Sequence, residues 1–344
     1  MNIDELLDSI VSKLPSVNPN KKYWLIRTMG GRYYHDFVEN KYVAIEPSGV
    51  TLLPLKDIER RAAGNPAQLS LMLKDYIKTI NPKSSNRTIG LGASQIIRFL
   101  HEIKDGDIIL IPSEHSDYVS IGEVDGDFLA VFTDEELKRM SCPFELKRKV
   151  KWLKSIPRAK LDVNLYMVFT THQMINQVGR FANVIERSVN DFYVLYENAH
   201  LIINVETSNN IPAKDLFGFG NMLLDMVDEY ATYANLDISS SDIEIQINLN
   251  SPGKLDLKSR VKKTTIILGA LVFLGGGNFK ILGVSVNAQG LPALIHSITE
   301  YLDHREDREL KEREFMKYHD TLKIKNPQEF NNLLNSDSKK NKYK

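Results

Sequence analysis

Short apolar segments rich in β-branched and aromatic residues recur between positions 23 and 132, each cut off within a few residues by turn formers. Residues 23–29 (YWLIRTM) end at Gly30-Gly31, and residues 42–45 (YVAI) end at Glu46-Pro47. Residues 107–112 (DIILIP) open from Asp105-Gly106, and residues 118–124 and 128–132 flank Asp125-Gly126, the pattern of a tight hairpin. Strands this short are stable only when several pair and bury a common face. Residues 94–104 interrupt them with Ile96, Leu100 and Ile103 at helical spacing. The expectation is a small β-barrel with two helical interludes over residues 21–160, in an α+β chain.

The rest of the chain reads differently. Residues 2–14 place Ile3, Leu6, Leu7, Ile10, Val11 and Leu14 on one helical face, so residues 1–20 are expected as an amino-terminal helix that stops at Pro15. Residues 173–190 carry Ile175, Val178, Ile185 and Val189 at helical spacing, giving a connecting helix within 161–195. A second α+β domain is expected over 196–303, with strands at 201–205 and 243–249 and helices carrying Leu216 to Tyr230 and Leu291 to Leu302. Residues 304–344 read as a charged tail. The apolar run 266–274 (IILGALVFL) is about half the ~20 residues a spanning helix needs, so a buried element is favoured over a membrane span. Five basic residues just before it, Lys254, Lys258, Arg260, Lys262 and Lys263, are what keeps the membrane reading open.

Acidic and basic residues balance at 44 each in 344 residues, so any nucleic-acid site must be local. The single cysteine, Cys142, makes no internal disulfide, and the acidic amino terminus does not resemble a signal peptide; both suit a cytoplasmic protein. The common phosphate-loop, zinc-protease and nucleophile-elbow patterns are missing, and the eight histidines form no close pair, so no metal site and no cofactor are expected. Glu145-Leu146-Lys147, with Asp125 or Asp127 upstream, fits the local pattern of a restriction-type nuclease that would hold Mg²⁺; residues 244–246 (EIQ) echo it weakly. The most one-sided charge run lies at 147–160: Lys147, Arg148, Lys149, Lys151, Lys154, Arg158 and Lys160 surround Trp152 with no acid among them. Such a run can neutralise phosphates while its aromatic stacks on a base, or it can be a solvated face with Trp152 in the core.

A series of short motifs runs through residues 20–160 in order. Trp24 and Arg27 lie in the first strand, then come Gly30-Gly31, Asp36-Phe37 and Asn40, and Val43-Ala44-Ile45. After them follow residues 103–109 (IKDGDII), Tyr118, residues 121–124 (IGEV) and residues 148–152 (RKVKW). This order resembles the amino-terminal domain of Mrr-type restriction proteins. The chain departs from that family at Glu46-Pro47, where the family usually has Gly-Trp, and a base pocket that used this tryptophan would be altered. The resemblance implies a PUA/EVE-like barrel that binds nucleic acid, in some members with a modified base held in an aromatic cage. The carboxy-terminal half resembles only uncharacterised bacterial proteins.

The resulting expectation is a nucleic-acid-binding, base-reading protein of a bacterial restriction or antiviral defence system, with DNA as the expected partner. Trp24, Arg27, Tyr118 and Trp152 are the cage candidates, and Lys147, Arg148, Lys149 and Lys151 the phosphate contacts. A metal-dependent DNA endonuclease using Glu145 and Lys147 is one alternative, and a membrane-acting defence effector using residues 266–274 is another. Self-association into a homo-oligomer is compatible with each reading.

Overall fold

A computed structural model of the chain describes residues 2–127, 129–171, 173–207, 211–248, 253–275, 290–330 and 332–333. Contacts divide the chain into two compact units, residues 20–189 and residues 1–19 with 190–344. The chain opens with α1 (Ile3–Val11), whose Leu6, Leu7 and Ile10 are buried, as the helical spacing predicts.

In the unit of residues 20–189, β1 (Tyr23–Ile26), α2 (Tyr34–Glu39) and β2 (Tyr42–Ile45) come first. Three helices follow: α3 (Leu52–Ala62), α4 (Pro66–Ile80) and α5 (Asn86–Ile97), the last running into a π-helical turn at Arg98–Glu102. Then come β3 (Ile108–Pro112), β4 (Tyr118–Val124), α6 (Asp134–Arg139), β5 (Leu146–Pro157), a 3-10 turn at Val163–Thr170, β6 (Ile175–Gln177) and α7 (Ala182–Val189). The strands form one curled, half-barrel sheet in the order β2-β5-β4-β3-β1-β6. β1 runs parallel to β3, and the other pairings are antiparallel.

The curl has a local origin in β5. Residues 146–149 pair with β2, whereas residues 150–157 pair with β4, so one long strand serves two neighbours. A bulge helps it turn: Ile121 is opposite Lys154 while Gly122 is opposite Trp152, leaving Leu153 as the extra residue. Both faces of the sheet are covered. Trp24, Ile26, Ile109 and Ile111 pack toward the helical insertion, while Tyr23, Leu25, Ile108 and Leu110 pack with Val168, Phe181 and Ile185. Burial on two sides is why these strands are continuously apolar rather than alternating.

Three expectations are corrected here. The hairpin across Asp125-Gly126 does not form: β4 has both edges taken, by β3 and β5, and residues 129–132 carry no strand; Phe128 lies outside the described residues. The connecting helix over 161–195 is replaced by a 3-10 turn, β6, α7 and a further strand, because Ile175 pairs with Ile26 across β1 and so belongs to the sheet. The unit therefore runs to Val189, beyond the expected barrel end at 160, while residues 1–19 group with the carboxy-terminal unit.

That unit continues with β7 (Phe192–Leu195), β8 (Asn198–Val205), α8 (Ala213–Tyr233), β9 (Glu244–Asn248), β10 (Gly253–Ser259), α9 (Lys262–Gly275), α10 (Leu291–Asp303), α11 (Arg308–Leu322) and β11 (Ile324–Lys325). Its sheet order is β11-β8-β10-β9, with β7 also on β8, and every pairing is antiparallel. Ala199, Leu201, Ile203, Leu255 and Leu257 line one face and share a core with residues of α1, α8, α9, α10 and α11. The apolar run 266–274 is the body of α9, buried along its length, and no helix among the described residues is long and apolar enough to cross a membrane. Among the preceding basic residues, Lys263 pairs with Asp4 and Asp8 at 2.7 and 2.9 Å, and Lys258 with Glu244 at 2.9 Å. Residues 304–322, expected as tail, are largely α11, which lays Phe315 into the core.

Candidate nucleic-acid cleft on the curled sheet

The two parts of β5 sort its basic run. In the first part, Lys147 and Arg148 are buried and Lys149 is half-buried; beyond, Lys151 is exposed and Trp152 half-buried. Arg148 is fully buried and its guanidinium is spent on four backbone carbonyls. Nε donates to Phe99 at 2.8 Å, Nη1 to Gly126 at 3.0 Å, and Nη2 to Leu100 at 3.1 Å and Asp127 at 2.8 Å. Burial pulls its pKa below the ordinary guanidinium value, while Asp127 and Asp107 act in the opposite sense. Lys147 donates to the carbonyl of Phe144, and its ammonium sits 5.7 Å from the Tyr42 ring centre; burial pushes its pKa down. These two residues, expected to touch phosphates, hold the interior together.

The cage candidates do not converge either. Trp24 is fully buried and donates its indole N–H to Asp107 at 2.9 Å. Arg27 donates to the carbonyls of Phe169, at 2.6 Å, and Thr171, and burial lowers its pKa. Tyr118 is half-exposed at the start of β4, four residues or roughly 13 Å along the strand from the Trp152 partner Gly122. Of the four, Trp152 alone lines the cleft described next.

That cleft encloses about 500 Å³ and is lined by Val38, Asn40, Lys41, Asp125, Phe132, Glu136, Lys149, Val150, Lys151 and Trp152. Trp152 is anchored at its rim by an indole N–H bond to the Phe37 carbonyl at 2.9 Å. Lys149 stands over the Phe132 ring, 5.4 Å from its centre. Lys41 is carried in by the turn before β2, at φ 57°, and its carbonyl accepts from Val150 at 2.9 Å. Glu136 closes a capping box on α6: the Thr133 backbone amide, followed by its hydroxyl, holds the carboxylate below its ordinary pKa, with Lys149 adding to the effect. Two aromatic rings, three ammonium groups and two carboxylates thus share one concavity.

Gly122 is what lets Trp152 lie there. A Cβ at this position would stand 2.6 Å from the Trp152 ring and 2.5 Å from the Val150 side chain. Gly122→Ala is therefore expected to displace the indole and to destabilise the unit by ~1–3 kcal/mol, the usual range for overpacking. Near-UV circular dichroism and urea unfolding measure both, and an unchanged spectrum with unchanged stability would mean the ring is not seated on Gly122.

The nuclease candidates separate. Glu145 accepts the backbone N–H of Leu52 at 2.7 Å, at the start of α3, and Lys147 is the buried residue already described. Asp127 accepts from the Asp105 amide at 3.0 Å. Among the described residues no group of three or more His, Cys, Asp or Glu side chains is placed to hold a metal ion.

Sequence reasoning missed Lys41 and Phe132, and noted Asn40 without assigning it to a site. Lys41 and Asn40 reach the cleft because β2 pairs with the first part of β5, a long-range pairing that local periodicity does not encode. A family described as a domain of unknown function (DUF8426) matches residues 70–177, a stretch from within α4 to the end of β6 that contains the Lys149–Trp152 wall of the cleft. No curated protein and no solved structure matches the chain.

Proposed function

We propose that residues 20–189 are a nucleic-acid-reading module of the PUA/EVE-like kind and that an unstacked nucleotide occupies the cleft beside Trp152. The observation that carries this reading is the juxtaposition of Trp152 and Phe132 with Lys41, Lys149 and Lys151. Stacking on such rings contributes ~1–3 kcal/mol per base, and lysines near the strand neutralise phosphates. The volume lies in the range of sites that hold a small ligand. The curled six-stranded sheet supports a barrel-like reader. DNA in a bacterial restriction or antiviral setting is the context that the resemblance to Mrr-type proteins implies.

Replacing Lys41, Lys149 and Lys151 together by Gln should weaken single-strand binding and flatten its salt dependence. Each phosphate contact removed should lower the slope of log affinity against log salt by about 0.7. Fluorescence anisotropy across a salt series measures it. A triple variant with the wild-type slope would show that these lysines meet no phosphate.

A further inference from the structure

The polar groups of the cleft are unequally committed. Trp152 spends its N–H on Phe37, and the Asn40 amide nitrogen donates to Asp36 at 2.7 Å, which leaves the Asn40 side-chain carbonyl as an acceptor. The exposed Asp125 carboxylate has no hydrogen bond or ion pair among the described residues. Its backbone is nevertheless held. The Asp125 amide donates to the Lys149 carbonyl at 3.0 Å, and the next two carbonyls, those of Gly126 and Asp127, are gripped by Arg148. Asp125, on a held backbone, and Asn40 therefore bring two uncommitted acceptors to the cleft that Trp152 and Phe132 also line.

A groove made for phosphate alone would be weakened by such a carboxylate, because like charges repel. We infer that the cleft selects a nucleobase carrying an exocyclic amino group, as cytosine and adenine do, which donates to Asp125 and Asn40 while the lysines meet the phosphates. The inference rests on the nucleic-acid reading above and adds a substrate class to it. A carboxylate only accepts. Thymine and uracil set a carbonyl oxygen where cytosine has its amino group, so acceptor would face acceptor.

Full-length protein is titrated by fluorescence anisotropy against labelled single-stranded oligo(dC) and oligo(dT) of about twelve nucleotides, a length that covers a single-strand site. Both are pyrimidine strands, which limits differences in base stacking. The wild type should prefer oligo(dC) by about tenfold, the discrimination one good base-edge contact provides. Asp125→Asn should bring the ratio close to one while holding oligo(dT) at least as tightly as the wild type, since the amide can donate as well as accept and one repulsive charge is gone. Equal wild-type affinities for the two strands would overturn the amino-group selection and leave a non-selective nucleic-acid site. A preference that survives in Asp125→Asn would overturn the role of Asp125. Failure of both strands to bind would overturn the nucleic-acid reading and this inference with it.

Discussion

Arg148→Met should destabilise the unit of residues 20–189 by about 4 kcal/mol. Met fills much of the same volume but carries no donor, so four carbonyls, two buried and two part-buried, lose their partner at once. Each buried acceptor left unsatisfied costs ~1–3 kcal/mol, and hydrogen bonds to a charged group lie at the upper end of net values. Partial collapse and water entry will recover some of that, which is why the sum is not simply fourfold. The carbonyls come from two segments, Phe99 and Leu100 in the π-helical turn and Gly126 and Asp127 after β4, and the guanidinium is the bridge between them. Arg148→Lys should recover little, because one ammonium cannot reproduce the planar fork. Urea unfolding followed by tryptophan fluorescence measures the loss. A phosphate-contacting surface arginine would cost under ~0.5 kcal/mol when replaced. A loss of that size would return Arg148 to the surface role its place in the basic run suggests.

That contrast explains much of what the sequence did and did not disclose. The motifs that resemble the Mrr-type domain are, in this chain, mainly points where the fold is tied. Asp107 accepts from the Trp24 indole, the Lys22 amide and the Lys104 amide. Asp36 accepts from the Tyr42 hydroxyl, Asn40, Ser141 and the Cys142 amide, and those bonds hold its carboxyl below its ordinary pKa against the opposing effect of burial. Gly31, at φ +100°, admits the backbone of Glu114, and Gly122 admits Trp152. Recurring residues of this kind mark a fold more surely than a site. A run of like charges is equally ambiguous from sequence, because both faces of the first part of β5 are covered, so that the neighbours Lys147 and Arg148 are both buried while Lys151 is exposed.

The strands were legible where both faces are apolar, as in residues 42–45, and so were long amphipathic helices such as α8. The helices α3 and α4 were not, although Leu55, Ile58 and Ala62, then Leu69, Leu73 and Ile77, have the spacing. Pro54 and Pro66 argue for breaks unless each is placed in the first turn of a helix, where a proline lacks nothing. Asn65 supports that placement at α4 by accepting from the amides of Ala67 and Gln68. The cleft itself depends on β2 meeting β5 across about a hundred residues of chain, a pairing with no local signature.

The second large effect is expected at Leu271→Asp in α9. The helix is apolar on every side, and such a helix is either enclosed by protein or placed in lipid. Its 14 residues span ~21 Å at 1.5 Å per residue, short of the ~30 Å hydrocarbon core. Protein encloses it instead. Gly269 lies against the Phe330 ring and Gly275 against Phe315, while Lys263 at its start is paired with Asp4 and Asp8 of α1. Leu271 is 1% exposed in that core. Leu271→Ala should cost ~2–5 kcal/mol from lost transfer energy and the cavity left behind. Asp at the same site adds a buried carboxylate with no donor provided for it, and should unfold the unit that α9 centres. Far-UV circular dichroism and gel filtration distinguish the outcomes. Loss of helix content or aggregation of Leu271→Asp, with wild-type protein remaining in the supernatant after sedimentation with anionic vesicles, is the result expected of a buried helix. A folded Leu271→Asp, together with wild-type protein that pellets with the vesicles, would give residues 266–274 back to the membrane.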